Sequence, residues 1–145
     1  RLFGRFAYRF QTGGFTNAAR VEVQDLKHFV GNRLFRSENF LTTFQLPQYY
    51  QFSNANRLYA ALFTEHHFNG FLTNKIPGFR KLNWNLVAGA RGLWLQHQTY
   101  YEWNIGIENI LRVFRFDVVT GHLNGSRTGT EFRIGSRVSI GNNAD

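Results

Sequence analysis

Glu65-His66-His67 is the densest run of side chains able to bind a metal or move a proton in this 145-residue chain. On an extended strand successive side chains alternate, so Glu65 and His67 share one face and His66 takes the other. At most two of the three can then meet one ligand, whereas catalytic zinc needs about three protein donors and an open position. His28, His97 and His122 stand alone and Cys is absent, so no second pair at ligand spacing follows. The simpler expectation is that Glu65 and His67 hydrogen-bond within a wall of strands or to the following turn. No metal and no cofactor is expected.

The remaining carboxylates point the same way. Glu102, Glu108, Asp117 and Glu131 could pair for acid/base work only in a geometry that spacing does not define. Asp117 lies two residues from Arg115, which on a strand is a same-face ion pair. Glu108-Asn109 reads as a turn contact. Gly89-Ala90-Arg91-Gly92 falls inside a strand, where small residues permit close packing, and does not form a phosphate-binding loop. No Gly-x-Ser-x-Gly elbow, Walker loop or dinucleotide fingerprint is present, and no enzymatic activity is expected.

Charge sets a second question. The formal net charge is +8 and the sequence pI about 10.4. Such a balance fits nucleic acid, anionic lipid, lipopolysaccharide or a basic channel lining. The Lys and Arg residues are scattered singly, without a run. In Arg1–Phe10 and Arg112–Phe116 they alternate with aromatics, which resembles a base-stacking platform. There, however, the arginines fall on the face opposite Phe6, Tyr8 and Phe10, whereas a stacking platform needs both on one surface.

The elements that would hold these residues are strands. Phe is the dominant aromatic with 16 copies, Met is absent, and mean hydropathy is only −0.35. Aromatic-rich yet polar overall is what alternating barrel strands with aromatic girdles produce. Leu2 to Gln11 puts Leu2, Gly4, Phe6, Tyr8 and Phe10 on one face and Arg5, Ala7, Arg9 and Gln11 on the other. About ten residues at roughly 3.3 Å rise, tilted near 40°, span about the 25 Å apolar band of an outer membrane. Further strands are expected over Phe40–Phe52 (interrupted at Pro47), Leu58–Phe68, Trp84–Leu95, Tyr100–Ile107, Val113–Leu123 and Glu131–Ile140. Trp84 and Trp94 end one of them, where interfacial girdles sit. In the last, Phe132, Ile134, Val138 and Ile140 oppose Arg133 and Arg137. A slip of one residue would turn both arginines to lipid at about 2–4 kcal/mol each near mid-membrane, so they point inward. Residues 13–39 read as a long loop, Asn74–Leu82 as a turn with a short helical piece, and Glu108-Asn109 and Asn124-Gly125-Ser126 as tight turns. No apolar run approaches the roughly 20 residues of a membrane helix.

The stretch Glu65-His66-His67-Phe68-Asn69-Gly70-Phe71, with Asn74-Lys75-Ile76-Pro77 and Arg80-Lys81-Leu82, resembles the C-terminal barrel region of an uncharacterised Bacteroidetes outer-membrane family. The resemblance continues through Gly106–Ile110 and Phe114–Asp117, and more loosely through Leu2–Gly14. Members of that family look like TonB-receptor relatives, with an N-terminal carboxypeptidase-regulatory-like β-sandwich before a long barrel. The resemblance implies that this chain, which starts at Arg1 without a signal segment, is the end of a longer protein. It carries no catalytic residues across. One departure is the ending: such barrels usually finish on an aromatic, whereas this chain runs from Ile140 into Gly141–Asp145.

The resulting expectation is an all-β protein, the C-terminal strands of a larger antiparallel transmembrane β-barrel in the bacterial outer membrane. Arg5, Arg9, Arg91, Arg115, Asp117, Arg133 and Arg137 would line the lumen, and Tyr8, Trp84 and Trp94 would sit at the interfaces. Glu65, His66, His67, Phe68, Asn69 and Gly70 form the family motif. The expected partners are outer-membrane lipid and lipopolysaccharide, the rest of the barrel and an envelope protein complex, without nucleic acid, in transport or envelope assembly. The alternative is a soluble basic β-domain binding nucleic acid or another polyanion, and a soluble sandwich would share the same alternation.

Overall fold

The computed structural model describes residues 4–14, 27–32, 36, 39–47, 51–54, 58–70 and 73–136. The elements are β1 (Arg5–Gly13), β2 (Lys27–His28), β3 (Ser53–Asn54), β4 (Tyr59–His67), α1 (Pro77–Leu82), β5 (Asn85–Leu95), β6 (Thr99–Ile110), β7 (Phe114–Leu123) and β8 (Ser126–Ser136). Six of them form one antiparallel sheet in the order β1-β4-β5-β6-β7-β8, and β2 pairs with β3. The fold is all-β, as the alternation predicts. The sheet is not closed: β1 and β8 stand at opposite edges, so the described residues form an open wall and not a complete barrel.

Register sorts the side chains into two faces. One face carries the rows Arg5–His67–Val87–Gly106–Asp117–Arg133, Ala7–Glu65–Gly89–Asn104–Val119–Glu131 and Arg9–Phe63–Arg91–Glu102–Gly121–Gly129. The other carries Leu86–Ile107–Phe116–Ile134, Phe6–His66–Ala88–Ile105–Val118–Phe132 and Tyr8–Thr64–Ala90–Trp103–Thr120–Thr130. The second face holds no Asp, Glu, Lys or Arg in these rows. Its aromatics are open, with Tyr8 71% and Phe132 67% exposed. We call the first face inner and the second outer.

Described parts of the 27–54 stretch pack on the inner face. Phe29, Phe44 and Phe52 pack with Ala61, Phe63, Leu93 and Tyr100 into the principal core. This corrects the expected strand over Phe40–Phe52. Asn39 folds the chain into a turn, its carbonyl accepting from the Thr42 and Thr43 amides at 3.1 and 3.0 Å and its side chain accepting from the Leu41 amide at 3.0 Å. Such local Asn bonding competes with a strand ladder, and Pro47 removes a further donor. No described residue of that stretch is strand, the short β3 follows it at Ser53–Asn54, and residues 48–50 lie outside the described residues.

Two connections differ from expectation in detail. β6 continues past Glu108-Asn109 to Ile110, with a register shift between Ile107 and Ile110 and Asn109 at φ 67°. The turn falls at Leu111–Val113 instead. The turn at Asn124-Gly125 is as expected, with both residues at positive φ, the conformation Asn-Gly adopts most readily in a two-residue hairpin. The 73–82 stretch is a short 3₁₀ turn followed by α1, matching the expected turn with a helical piece.

Candidate functional site

The inner face carries a continuous chain of charged and polar side chains across four strands. His67 Nδ1 faces both Glu108 oxygens at 3.1 Å and its Nε2 faces Glu65 at 3.3 Å. Glu65 pairs with Arg115, whose Nε and Nη2 grip Asp117 at 2.6 and 2.9 Å. Asn104 then bridges two charges: its amide nitrogen donates to Asp117 at 2.7 Å, and its oxygen accepts from Arg91 at 2.9 Å. Arg91 closes on Glu102 at 2.9 Å, and the Tyr100 hydroxyl donates to Glu102 at 2.9 Å. Arg91, Glu102, Asn104 and Asp117 are all essentially excluded from solvent.

Space for this network comes from glycines on the same rows. A Cβ on Gly89 would meet Asn104 Oδ1 at 2.6 Å, and one on Gly106 would collide with the Asp117 carboxylate. Gly89 is therefore small because Asn104 crosses above it, which gives the close packing inferred from its mid-strand position a definite partner.

The wall's charges hold the 39–47 segment largely by its main chain. Arg91 Nε donates to the Phe40 carbonyl at 2.9 Å. Glu102 accepts from the Gln45 and Leu46 amides at 2.8 and 3.3 Å. Arg133 donates to the Gln45 carbonyl through Nη2 at 2.6 Å and Nε at 3.1 Å, and pairs with Glu131 at 2.7 Å. The Phe40 ring lies between two guanidiniums, 4.4 Å from Arg91 and 4.1 Å from Arg115, a doubled cation–π contact. Phe44 packs on Phe63 and Tyr100. Recesses beside the segment among the described residues include one of about 290 Å³ next to Tyr100, Glu131 and Arg133 and one of about 220 Å³ next to Arg9, Phe29 and Phe44.

All but one of the predicted site residues have a place in the described structure. Arg91, Arg115, Asp117 and Arg133 share the inner face and join the network or its contacts. Arg5 and Arg9 also lie on inner rows, but on the edge strand, where they are exposed. Arg137 lies outside the described residues. Tyr8 and Trp94 are exposed on the outer face, while Trp84 is half-buried one residue before β5. Glu65 and His67 face inward and His66 outward, against Phe6 and Phe68. Phe68 donates its amide to Leu86 at 3.0 Å, and Asn69 and Gly70 turn the chain at φ 44° and 84°. With both His67 nitrogens facing carboxylates, Glu65 and His67 form a hydrogen-bonded pair as expected, and among the described residues no group of His, Asp or Glu is set to hold a metal.

Asn104, Tyr100 and Gln45 are not among the residues the sequence singles out; Glu102 is read there only as a generic carboxylate, and Glu108, expected in a turn contact, instead faces His67 from within β6. A signal existed for β6: Tyr100, Glu102, Asn104, Gly106 and Glu108 alternate with Tyr101, Trp103, Ile105 and Ile107. That alternation makes the polar set one face.

A family model covers residues 1–107, from β1 into β6, and includes the Glu65–Gly70 motif. It is described as the C-terminal domain of a family of unknown function, DUF5686. The chain belongs to this family. In the DUF5686 C-terminal domain as folded here, β7 and β8 continue the same sheet beyond the matched span and supply Arg115, Asp117 and Arg133. No curated protein and no solved structure matches the chain.

Proposed function

We propose that this DUF5686 C-terminal domain is a wall segment of a bacterial outer-membrane β-barrel, acting in transport or envelope assembly. In this reading it belongs to a longer Bacteroidetes protein with an N-terminal carboxypeptidase-regulatory-like domain. It contacts outer-membrane lipid and lipopolysaccharide, the rest of its barrel and an envelope complex.

The carrying observation is the division of the sheet into an outer face free of formal charge in its central rows and an inner face that holds the ion pairs. Threonine hydroxyls in the central outer rows find partners inside the sheet, and Arg127 at the β7–β8 end also donates to Thr130 at 2.6 Å. Thr64 donates to the Ala90 carbonyl at 2.9 Å, and Thr120 and Thr130 bond each other at 2.8 Å. In lipid an unsatisfied polar group costs several kcal/mol, so this self-sufficiency is what a hydrocarbon-facing surface requires. A base-stacking surface is less well served, because Phe6, Tyr8 and Phe10 sit away from Arg5 and Arg9 and the inner arginines are committed to carboxylates or main chain.

The described residues 39–47, with Phe29 and Phe52, sit against the inner face beside Arg91, Glu102 and Arg133. Cargo passing here would have to displace that segment. Fractionation of the full-length protein tests the reading: recovery with detergent-extracted outer-membrane proteins is expected, and recovery as a soluble protein without detergent would contradict it.

A further inference from the structure

The net charge of +8 needs a location. The inner face does not supply it. Its rows set Arg5, Arg9, Arg91, Arg115 and Arg133, five cations, against Glu65, Glu102, Asp117, Glu131 and, facing His67, Glu108, five carboxylates. The central outer rows carry no formal charge.

Four of the excess cations collect at the end of the sheet where β4 passes to β5 and β6 passes to β7, half of the net charge. Lys75, Arg80, Lys81 and Arg112 are exposed there, among exposed Ile76, Leu82 and Leu111. The described residues of these two connections contain no Asp or Glu. Asn109 ties them together by donating to the Asn83 carbonyl at 2.7 Å.

The β6–β7 turn adds an independent observation. Leu111 and Arg112 both adopt positive φ, 49° and 67°. The β7–β8 turn places Asn124 and Gly125 in the same region, the residues local preference selects. A Leu-Arg pair is a poor choice for that backbone, and Leu111 is 78% exposed, so the folded chain gains nothing from it by burial. Aliphatic and cationic side chains at a turn tip are explained if the tip meets a surface that is apolar below and anionic above.

The geometry points to this end as a seat for anionic phospholipid headgroups, with Leu111, Ile76 and Leu82 at the acyl boundary and Arg80, Lys81 and Arg112 on phosphates. This rests on the membrane reading above. The periplasmic leaflet is the source, because the long 14–58 connection leaves from the opposite end and outer-membrane barrels keep long loops outside and short turns in the periplasm.

The test uses the full-length protein in vesicles, with tryptophans other than Trp84 replaced by Phe. Quenching of Trp84 by bromine-labelled phosphatidylglycerol is compared with quenching by bromine-labelled phosphatidylcholine. Phosphatidylglycerol is expected to be preferred by on the order of a hundredfold, the product of three cation contacts. The Leu111→Asn/Arg112→Gly double variant, which suits the turn, should lower that preference about fivefold, and Arg80→Gln/Lys81→Gln about twentyfold, both less at high salt. Equal quenching by the two lipids in the parent, unchanged preference in both variants, or stronger competition by lipopolysaccharide than by phosphatidylglycerol would overturn the inference. Quenching by neither lipid would overturn the membrane reading itself, and this inference with it.

Discussion

Asn104 stands between a guanidinium and a carboxylate, and an amide is the side-chain group that can accept from Arg91 while donating to Asp117. Asn104→Leu keeps the approximate volume but strands a donor of Arg91 and an oxygen of Asp117. It should lower unfolding free energy by about 1–3 kcal/mol, measured by urea unfolding of the protein in vesicles. Arg91→Ala removes the cation from a buried pair and frees Phe40. A loss of about 3–5 kcal/mol is expected, because Glu102 is left buried without its counter-charge. An Arg91→Ala variant as stable as its parent would show that the network contributes nothing to the fold. These ion pairs also fix register: a one-residue slip would carry Arg91, Asp117 and Arg133 to the outer face together.

Among the elements, the two faces of one strand make opposite predictions. Ile105 on the outer face of β6 is 46% exposed, so Arg is sterically tolerable there. Facing lipid near mid-membrane, Ile105→Arg should cost about 2–4 kcal/mol in the same unfolding assay, whereas a water-facing site would leave stability nearly unchanged. Phe40→Ala removes the ring held by Arg91 and Arg115. It should loosen the 39–47 segment, read as faster thiol labelling of a Thr43→Cys reporter, which the parent protects because Thr43 is buried.

The strands were legible in the sequence because their period-two alternation is local: Arg5 against Phe6, Arg115 against Phe116 and Arg133 against Phe132 each sort correctly within a few residues. The 39–47 segment was not. Its aromatics share one face in sequence just as a strand's do, but what fixes them is remote. Arg91 reaches Phe40 across 51 positions and Arg133 reaches Gln45 across 88. A window of ten residues holds no trace of either contact. The candidate site divides likewise. The Glu65–His67 and Arg115–Asp117 pairs lie two residues apart and could be read directly, whereas Glu108 joins His67 from another strand.

At the scale of the whole molecule, the proposed function requires that the outer face meet hydrocarbon and the inner face meet the protein's own chain and water. Among the described residues the sheet ends at β1 and at β8, the latter bridged only by Arg36 at Ile134; an open wall of this kind suits completion by neighbouring strands, and edges left bare would invite aggregation. The most direct measurement is collision accessibility of single nitroxide labels in the full-length protein in vesicles. Labels are placed at Phe6, Ile105 and Phe132 on the outer face and at Arg9 and Glu131 on the inner. Outer labels should collide with oxygen and be shielded from a water-soluble nickel chelate, and inner labels should show the reverse. Outer labels as open to the nickel chelate as inner ones would put that face in water and contradict the account.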